Sequence, residues 1–81
     1  MSRVTMYSRA RCGLCDEARE TIQAVRAEVT FEYEEVLIDG RDDLERQYGL
    51  RVPVVAIDGR EAFEIEVDAD QLRAALASLS D

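Results

Sequence analysis

The sequence contains no histidine, only two cysteines and no apolar run long enough to cross a bilayer. A closed zinc site normally takes four ligands, mostly cysteine and histidine, so the chain by itself lacks the ligands for one. A metal shared between two chains is the alternative. Charged residues also interrupt the apolar residues at the N-terminus, which is not typical of a secretory signal. These absences predict a cytoplasmic protein that does not bind a membrane.

Positive charge is also scarce. Ten basic residues face 18 acidic ones, which gives a net charge of −8. Nucleic acids and anionic membranes repel an acidic surface, so neither is expected as a partner. We interpret the acidity as a solvated surface; a preference for basic partner proteins is the alternative.

With 81 residues, the chain has room for one domain with a small core, which we assign to residues 1–81. A hydrophobic content of 47% and a single proline indicate a globular chain rather than a disordered one. Cytosolic thiols are kept reduced, so a structural disulfide is not expected here. The two cysteines therefore point to redox chemistry, with simple packing in the core as the alternative.

The periodicity of apolar residues predicts the element order β-α-β-α-β-β-α. We expect strands at Val4–Tyr7, Phe31–Ile38, Arg51–Ile57 and Glu61–Val67, and helices at Gly13–Ala27, from Asp42 or Asp43 to Gln47, and after Asp68. Strand, helix and strand form a parallel unit with a right-handed crossover, and Asp58-Gly59 is typical of a hairpin turn. The result is an α/β sandwich with a four-stranded mixed sheet, its first strand central, and three helices on its two faces.

Four details of this pattern are specific enough to test. The run Val36-Leu37-Ile38 predicts burial on both sides of its strand, and a change of phase at Glu34-Glu35 indicates a bulge. Asp68 and Gln71 have the spacing of a capping box. The first helix has an apolar stripe at Ala18, Ile22 and Val25, and Val29 continues the spacing beyond its end. The last helix has one at Leu72, Ala75, Leu76 and Leu79.

Both cysteines lie at the turn between the first strand and the first helix. The unpaired N–H groups of a helix N-terminus favour an anion, and Arg9 and Arg11 add positive charge. We therefore expect the pKa of Cys12 to fall below the roughly 8.5 of a free cysteine. Cys15 lies one turn deeper and opens the buried stripe, so Cys12 is predicted to attack and Cys15 to resolve.

The Cys-x-x-Cys pair at this turn and Val52-Pro53 at the third strand together resemble the glutaredoxin branch of the thioredoxin fold, over essentially the whole chain. The run from Tyr7 to Cys15 is similar to the glutaredoxin sequence Tyr-Ser-Lys-Pro-x-Cys-Pro-Tyr-Cys. The resemblance implies that Cys12 is the nucleophile and Cys15 the resolving thiol. It also implies a cis Pro53 beside the disulfide. The residues expected to bind substrate are Arg9, Arg11, Gly13, Leu14, Val52 and Pro53.

The sequence departs from that family in two places. Gly13-Leu14 replaces Pro-Tyr, so the family's redox potential does not transfer. The Gly-Gly-x-Asp segment that holds glutathione is missing, and Asp68 and Asp70 lie where a helix N-terminus would attract its carboxylate. We therefore predict weak or absent glutathione specificity.

The sequence as a whole predicts a monomeric thiol-disulfide oxidoreductase that needs no bound cofactor. Its expected partners are a disulfide-containing protein or small-molecule thiol as substrate, and a reductase or thiol as electron donor. Glutathione or another low-molecular-weight thiol is a doubtful candidate for that donor. The alternative is a binding or carrier module that holds a metal or iron-sulfur cluster between two chains.

Overall fold

A computed structural model describes residues 2–79 of the chain, apart from the side chain of Leu79. It confirms the predicted order of elements. They are β1 (Arg3–Ser8), α1 (Gly13–Arg26), β2 (Glu32–Leu37), α2 (Asp42–Tyr48), β3 (Val54–Ile57), β4 (Arg60–Glu64) and α3 (Ala69–Leu79). The predicted contribution of Leu79 to an apolar stripe lies outside the described side chains.

The strands form one mixed sheet in the order β2-β1-β3-β4, which confirms the central position of β1. β1 is parallel to β2 and antiparallel to β3, while β3 and β4 form the predicted hairpin. Ser8 pairs with Leu37, and Tyr7 pairs with Val54. The carboxyl ends of β1 and β2 therefore meet the beginning of β3 at one edge of the sheet.

Helices cover both faces of the sheet. Side chains alternate between the two faces along each strand, so each face contributes residues to a core. One face packs against α1 and α3, and its buried residues are Val4, Met6, Ala18, Ile22, Val25, Phe31, Val55, Ile57, Leu72 and Leu76. Each fully buried aliphatic side chain contributes about 1.5–3 kcal/mol. The other face packs against α2, where Tyr48 is buried with Ile38 and Val54. The ring of Tyr48 also stacks on Tyr7, with centroids 4.2 Å apart.

Three predicted boundaries were wrong. β3 begins at Val54 rather than Arg51, and β4 ends at Glu64 rather than Val67. The cause at β4 is local: Ile65 has a φ of 70°, which takes the chain out of the extended conformation. The N-cap of α2 is Arg41, which makes no side-chain capping bond, rather than an aspartate. At α3 the expected cap is present, since Asp68 Oδ2 accepts the backbone N–H of Gln71 at 3.0 Å.

Two predictions about β2 were also wrong. Leu37 is 55% exposed because β2 is an edge strand and not a strand covered on both sides. The register of β1 with β2 runs without a break through Glu34 and Glu35. The irregular register occurs elsewhere, where Val55 and Ala56 pair with β4. Within residues 2–79, no helix is both long and apolar enough to cross a membrane.

Candidate active site

Cys12 is the N-cap residue of α1. Its backbone is extended, with φ −113° and ψ 106°, and its sulfur accepts the backbone N–H of Cys15 at 3.1 Å. The N–H groups of the first helical turn have no partner within the helix, so a sulfur in this position receives their partial positive charge. The structure thus confirms the predicted location of Cys12 at a helix N-terminus.

Cys12 and Cys15 form a disulfide, with their Cα atoms 5.2 Å apart. The two cysteines differ in accessibility: Cys15 is fully buried, and Cys12 is partly exposed. A substrate can therefore approach Cys12 from solvent but cannot reach Cys15 directly. This asymmetry is what an attacking and a resolving cysteine require.

The segment that leads to Cys12 is held by Asp39, which follows β2. Asp39 Oδ2 accepts the backbone N–H of Ala10 at 2.7 Å, and its Oδ1 accepts Arg9 Nε at 3.0 Å. The bond from the Ala10 N–H has the larger effect, and both bonds hold the pKa of Asp39 below its ordinary value. Arg9 also pairs with Glu45 at 2.9 Å. The charge of Arg9 is therefore largely compensated by acids, and its contact with substrate stays a prediction.

The other residues predicted to bind substrate lie in the turn around Cys12 and in the segment just before β3. Arg11, Gly13 and Leu14 are exposed around Cys12, and Arg11 has a φ of 56°. Val52 is half-buried and Pro53 is buried, and the peptide bond between them is cis. The topology brings Pro53 to the same edge of the sheet as the disulfide, since it directly precedes β3. Substrate contact at these five positions stays a prediction.

A hydrogen-bonded group centred on Glu35 was not predicted from the sequence; we call it the Glu35 network. Its members are Ser8, Asp16, Arg19, Tyr33 and Glu35. Arg19 donates to both Glu35 oxygens, at 2.7 and 2.6 Å, and also to Asp16 at 2.8 Å. The buried Ser8 donates to Glu35 at 2.8 Å, and Tyr33 donates at 3.1 Å. The network ties the first two turns of α1 to the end of β1.

The Glu35 network shifts the ionisation of its members. The hydrogen bonds from Arg19 have the largest effect on Glu35 and lower its pKa to about 2. The hydroxyl of Ser8 adds to this effect, and burial opposes it. The pKa of Tyr33 is raised, mainly by burial and secondly by the negative charge of Glu35. Glu35 therefore stays ionised at neutral pH beside the helix that carries both cysteines.

Two simple signals in the sequence could have located these residues. Glu35 is two residues after the inward-facing Tyr33, so strand alternation places it on the α1 side. Asp39 follows a strand parallel to β1, and the carboxyl ends of parallel strands share an edge. Within residues 2–79, no three cysteine or acidic side chains form a group that could hold a metal ion.

Residues 3–77 match the family described as the glutaredoxin-like domain (DUF836). The chain belongs to this glutaredoxin-like family. An uncharacterized protein of Mycobacterium tuberculosis, Rv0508, is 36% identical to it, and the match covers 91% of this chain and 81% of that protein. The family name thus confirms the resemblance seen in the cysteine motif and around Val52-Pro53.

Solved structures agree with this assignment. The X-ray structure of protein XcR50 from X. campestris is 41% identical, with a TM-score of 0.80 over 93% of this chain and 96% of that one. A thioredoxin from Halobacterium salinarum is 21% identical, with a TM-score of 0.70 over 99% of this chain and 75% of that one. The latter shows the thioredoxin fold alone. Together with the Cys12–Cys15 pair, these matches support a redox-type module of the glutaredoxin-like family.

Proposed function

We propose that this glutaredoxin-like domain is a thiol-disulfide oxidoreductase. The observation that carries the proposal is the placement of two bonded sulfurs at the N-terminus of α1, one partly exposed and the other fully buried. A core-packing pair would not need an exposed sulfur that accepts a helix N–H. The helix N-terminus favours Cys12 as a thiolate, which is the species that attacks disulfides.

The reaction starts with both cysteines reduced. Cys12 thiolate attacks one sulfur of the substrate disulfide, forms a mixed disulfide and releases the first substrate thiolate. Cys15 loses its proton and attacks the Cys12 sulfur, which releases the second substrate thiolate and leaves the Cys12–Cys15 disulfide. Two electrons pass from the cysteines to the substrate. Each released thiolate takes up a proton from solvent where the pH is below the pKa of its thiol.

The cycle closes when an external dithiol, a low-molecular-weight thiol or a reductase returns two electrons to the disulfide. No bound cofactor takes part in these steps. The proposed substrates are protein disulfides or small disulfides, and the proposed location is the cytoplasm, where thiols are kept reduced. We propose that the domain acts as a monomer, because a single chain carries both sulfurs.

A single-turnover assay tests the proposal. The reduced domain is mixed with hydroxyethyl disulfide, and the loss of protein thiols and the gain of small thiols are followed together. We expect two protein thiols to be consumed for each disulfide reduced. Cys12→Ser should abolish the reaction, since the buried Cys15 cannot be reached from solvent.

A matched experiment addresses the alternative of a carrier module. The domain is purified without oxygen, and its ultraviolet-visible spectrum is recorded before the assay. Full reduction of hydroxyethyl disulfide by Cys12→Ser would overturn the oxidoreductase proposal. Iron-sulfur absorption together with an inactive wild-type protein would overturn it as well, in favour of a carrier.

A further inference from the structure

A groove of about 190 Å³ lies between α1 and the segment that joins β4 to α3. We call it the acidic groove. The residues that define its character are Leu14, Glu17, Thr21, Ile65, Glu66 and Val67. Leu14 lies between the two cysteines in the sequence, so the α1 side of the groove begins within two residues of each cysteine along the chain.

Two exposed apolar side chains, Leu14 and Ile65, line the acidic groove. Leu14 is 44% exposed and Ile65 is 46% exposed, from opposite sides of the groove. Ile65 is anchored at the edge of the sheet that holds Pro53, because its backbone N–H donates to the Pro53 carbonyl at 2.8 Å. Its φ of 70° is unfavourable for a β-branched residue. The fold thus holds an exposed apolar side chain, Ile65, in a backbone conformation that costs free energy.

The acidic groove carries negative charge that no arginine within residues 2–79 pairs with. Among the described residues that line it, both charged side chains are glutamates, Glu17 and Glu66. Nine acidic residues elsewhere in residues 2–79 form ion pairs with arginine, whereas neither of these two does. Asp68 lies beside Glu66 in an adjoining hollow and extends the negative surface. A cationic group would find unpaired carboxylates here, and an anionic one would be repelled.

The size of the groove limits what it can hold. Its volume of about 190 Å³ is smaller than the roughly 300–1,000 Å³ of a typical small-molecule pocket. It is suited to one or two side chains of an extended segment whose disulfide lies over Cys12. Combined with its charge, the size disfavours the two carboxylates of glutathione.

We propose that the acidic groove binds the segment next to the target disulfide in a protein substrate, and that it selects segments with an apolar residue beside lysine or arginine. This inference rests on the proposed function and specifies its substrate class. It also gives the negative surface a role, because Glu17 and Glu66 would exchange solvent for a cationic side chain of the substrate. Each such pair at a solvated surface contributes modestly, so we expect a preference of roughly 3- to 10-fold rather than an absolute choice.

Three peptides of identical length test the preference: Ala-Leu-Cys-Lys-Ala, and the same peptide with Gln or Glu in place of Lys. The cysteine of each carries the same 2-thiopyridyl disulfide, and release of thiopyridone reports the attack by reduced protein. The wild-type protein should react roughly 3- to 10-fold faster with the Lys peptide than with the Glu peptide, and the Gln peptide should lie between them. The preference should shrink in about 1 M salt, where the Debye length falls to roughly 3 Å.

Two double variants identify the source of the preference. Glu17→Gln with Glu66→Gln removes both groove charges, and Glu20→Gln with Asp43→Asn removes the same net charge from exposed positions outside the groove. The groove variant should bring the rates for the Lys and Glu peptides to within about 2-fold of each other. The control variant should keep the wild-type ratio. The rate of each protein with hydroxyethyl disulfide, measured in parallel, is the reference for its peptide rates.

The outcomes separate this inference from the proposed function. Normal reduction of hydroxyethyl disulfide with equal rates for all three peptides would overturn the groove inference and leave the oxidoreductase in place. The same holds if the groove variant and the control variant lower the preference equally. If the wild-type protein does not reduce hydroxyethyl disulfide, the proposed function is wrong and the groove inference is wrong with it.

Discussion

Glu35 gives a prediction that can be worked from the structure. Its pKa is lowered from an ordinary 4.5 to about 2, chiefly by its bidentate bond to Arg19. A group whose pKa is lowered by folding contributes stability above its unfolded pKa and loses it as the pH falls through its folded pKa. The contribution of Glu35 should therefore be complete above a pH of about 4.5 and disappear as the pH falls towards 2.

The size of that contribution follows from the same shift. A pKa difference of this extent corresponds to about 3 kcal/mol as an upper limit. The Arg19 side chain is 37% exposed, so solvent screens part of the interaction. We expect Glu35→Gln to lower the free energy of unfolding by about 1–2 kcal/mol at neutral pH. For a domain of this length, the melting temperature should fall by roughly 4–8 °C for each kcal/mol.

The assay is urea unfolding of the oxidised protein at several pH values between neutral and about 2, for wild type, Glu35→Gln and Glu20→Gln. Glu20 is an exposed glutamate of α1, the helix that carries Arg19, so its substitution should change stability by less than about 0.5 kcal/mol. The difference between wild type and Glu35→Gln should close as the acid end is approached. Equal stability at neutral pH, or a difference that stays constant down to pH 2, would refute the electrostatic reasoning.

Three further predictions concern the site. Iodoacetamide should alkylate Cys12 with a half-point below the roughly 8.5 of a free cysteine, and Asp16→Asn should lower it further by removing a nearby negative charge; an unshifted half-point would contradict thiolate activation. Ile65→Asn should leave stability within about 1 kcal/mol of wild type, because asparagine tolerates positive φ, yet slow reaction with the Leu-Cys-Lys peptide; unchanged kinetics would remove Ile65 from the groove. Titration with glutathione under NMR should give no saturable shifts near Asp68 at micromolar ligand, and saturation there would contradict the predicted weak specificity.

The sequence predicted the elements that depend on local pattern. The three-four spacing of Ala18, Ile22 and Val25 located the buried side of α1, and these residues are buried. Asp58-Gly59 predicted the hairpin of β3 with β4, which is present. The location of Cys12 at a helix N-terminus followed from the change of periodicity around it. These features depend on neighbours in the chain, so one sequence was sufficient to find them.

The features that the sequence did not predict depend on partners distant in the chain. Leu37 lies in an apolar run that is typical of a buried strand, but it is exposed because β2 is at the edge of the sheet. Glu35 was interpreted as a break in phase, whereas Arg19 and Ser8 satisfy its carboxylate on the inner face. Ile65 continued the predicted alternation of β4, yet its positive φ ends that strand. Its side chain lines the acidic groove instead. Only the tertiary structure supplies these partners.

The central claim is that Cys12 attacks and Cys15 resolves. It is tested most directly by intact-protein mass spectrometry of Cys15→Ser and Cys12→Ser after reaction with the activated Leu-Cys-Lys peptide. The account predicts that Cys15→Ser accumulates one peptide in a stable mixed disulfide on Cys12, while Cys12→Ser stays unmodified because Cys15 is fully buried. Equal labelling of both variants, or labelling of Cys12→Ser alone, would contradict it.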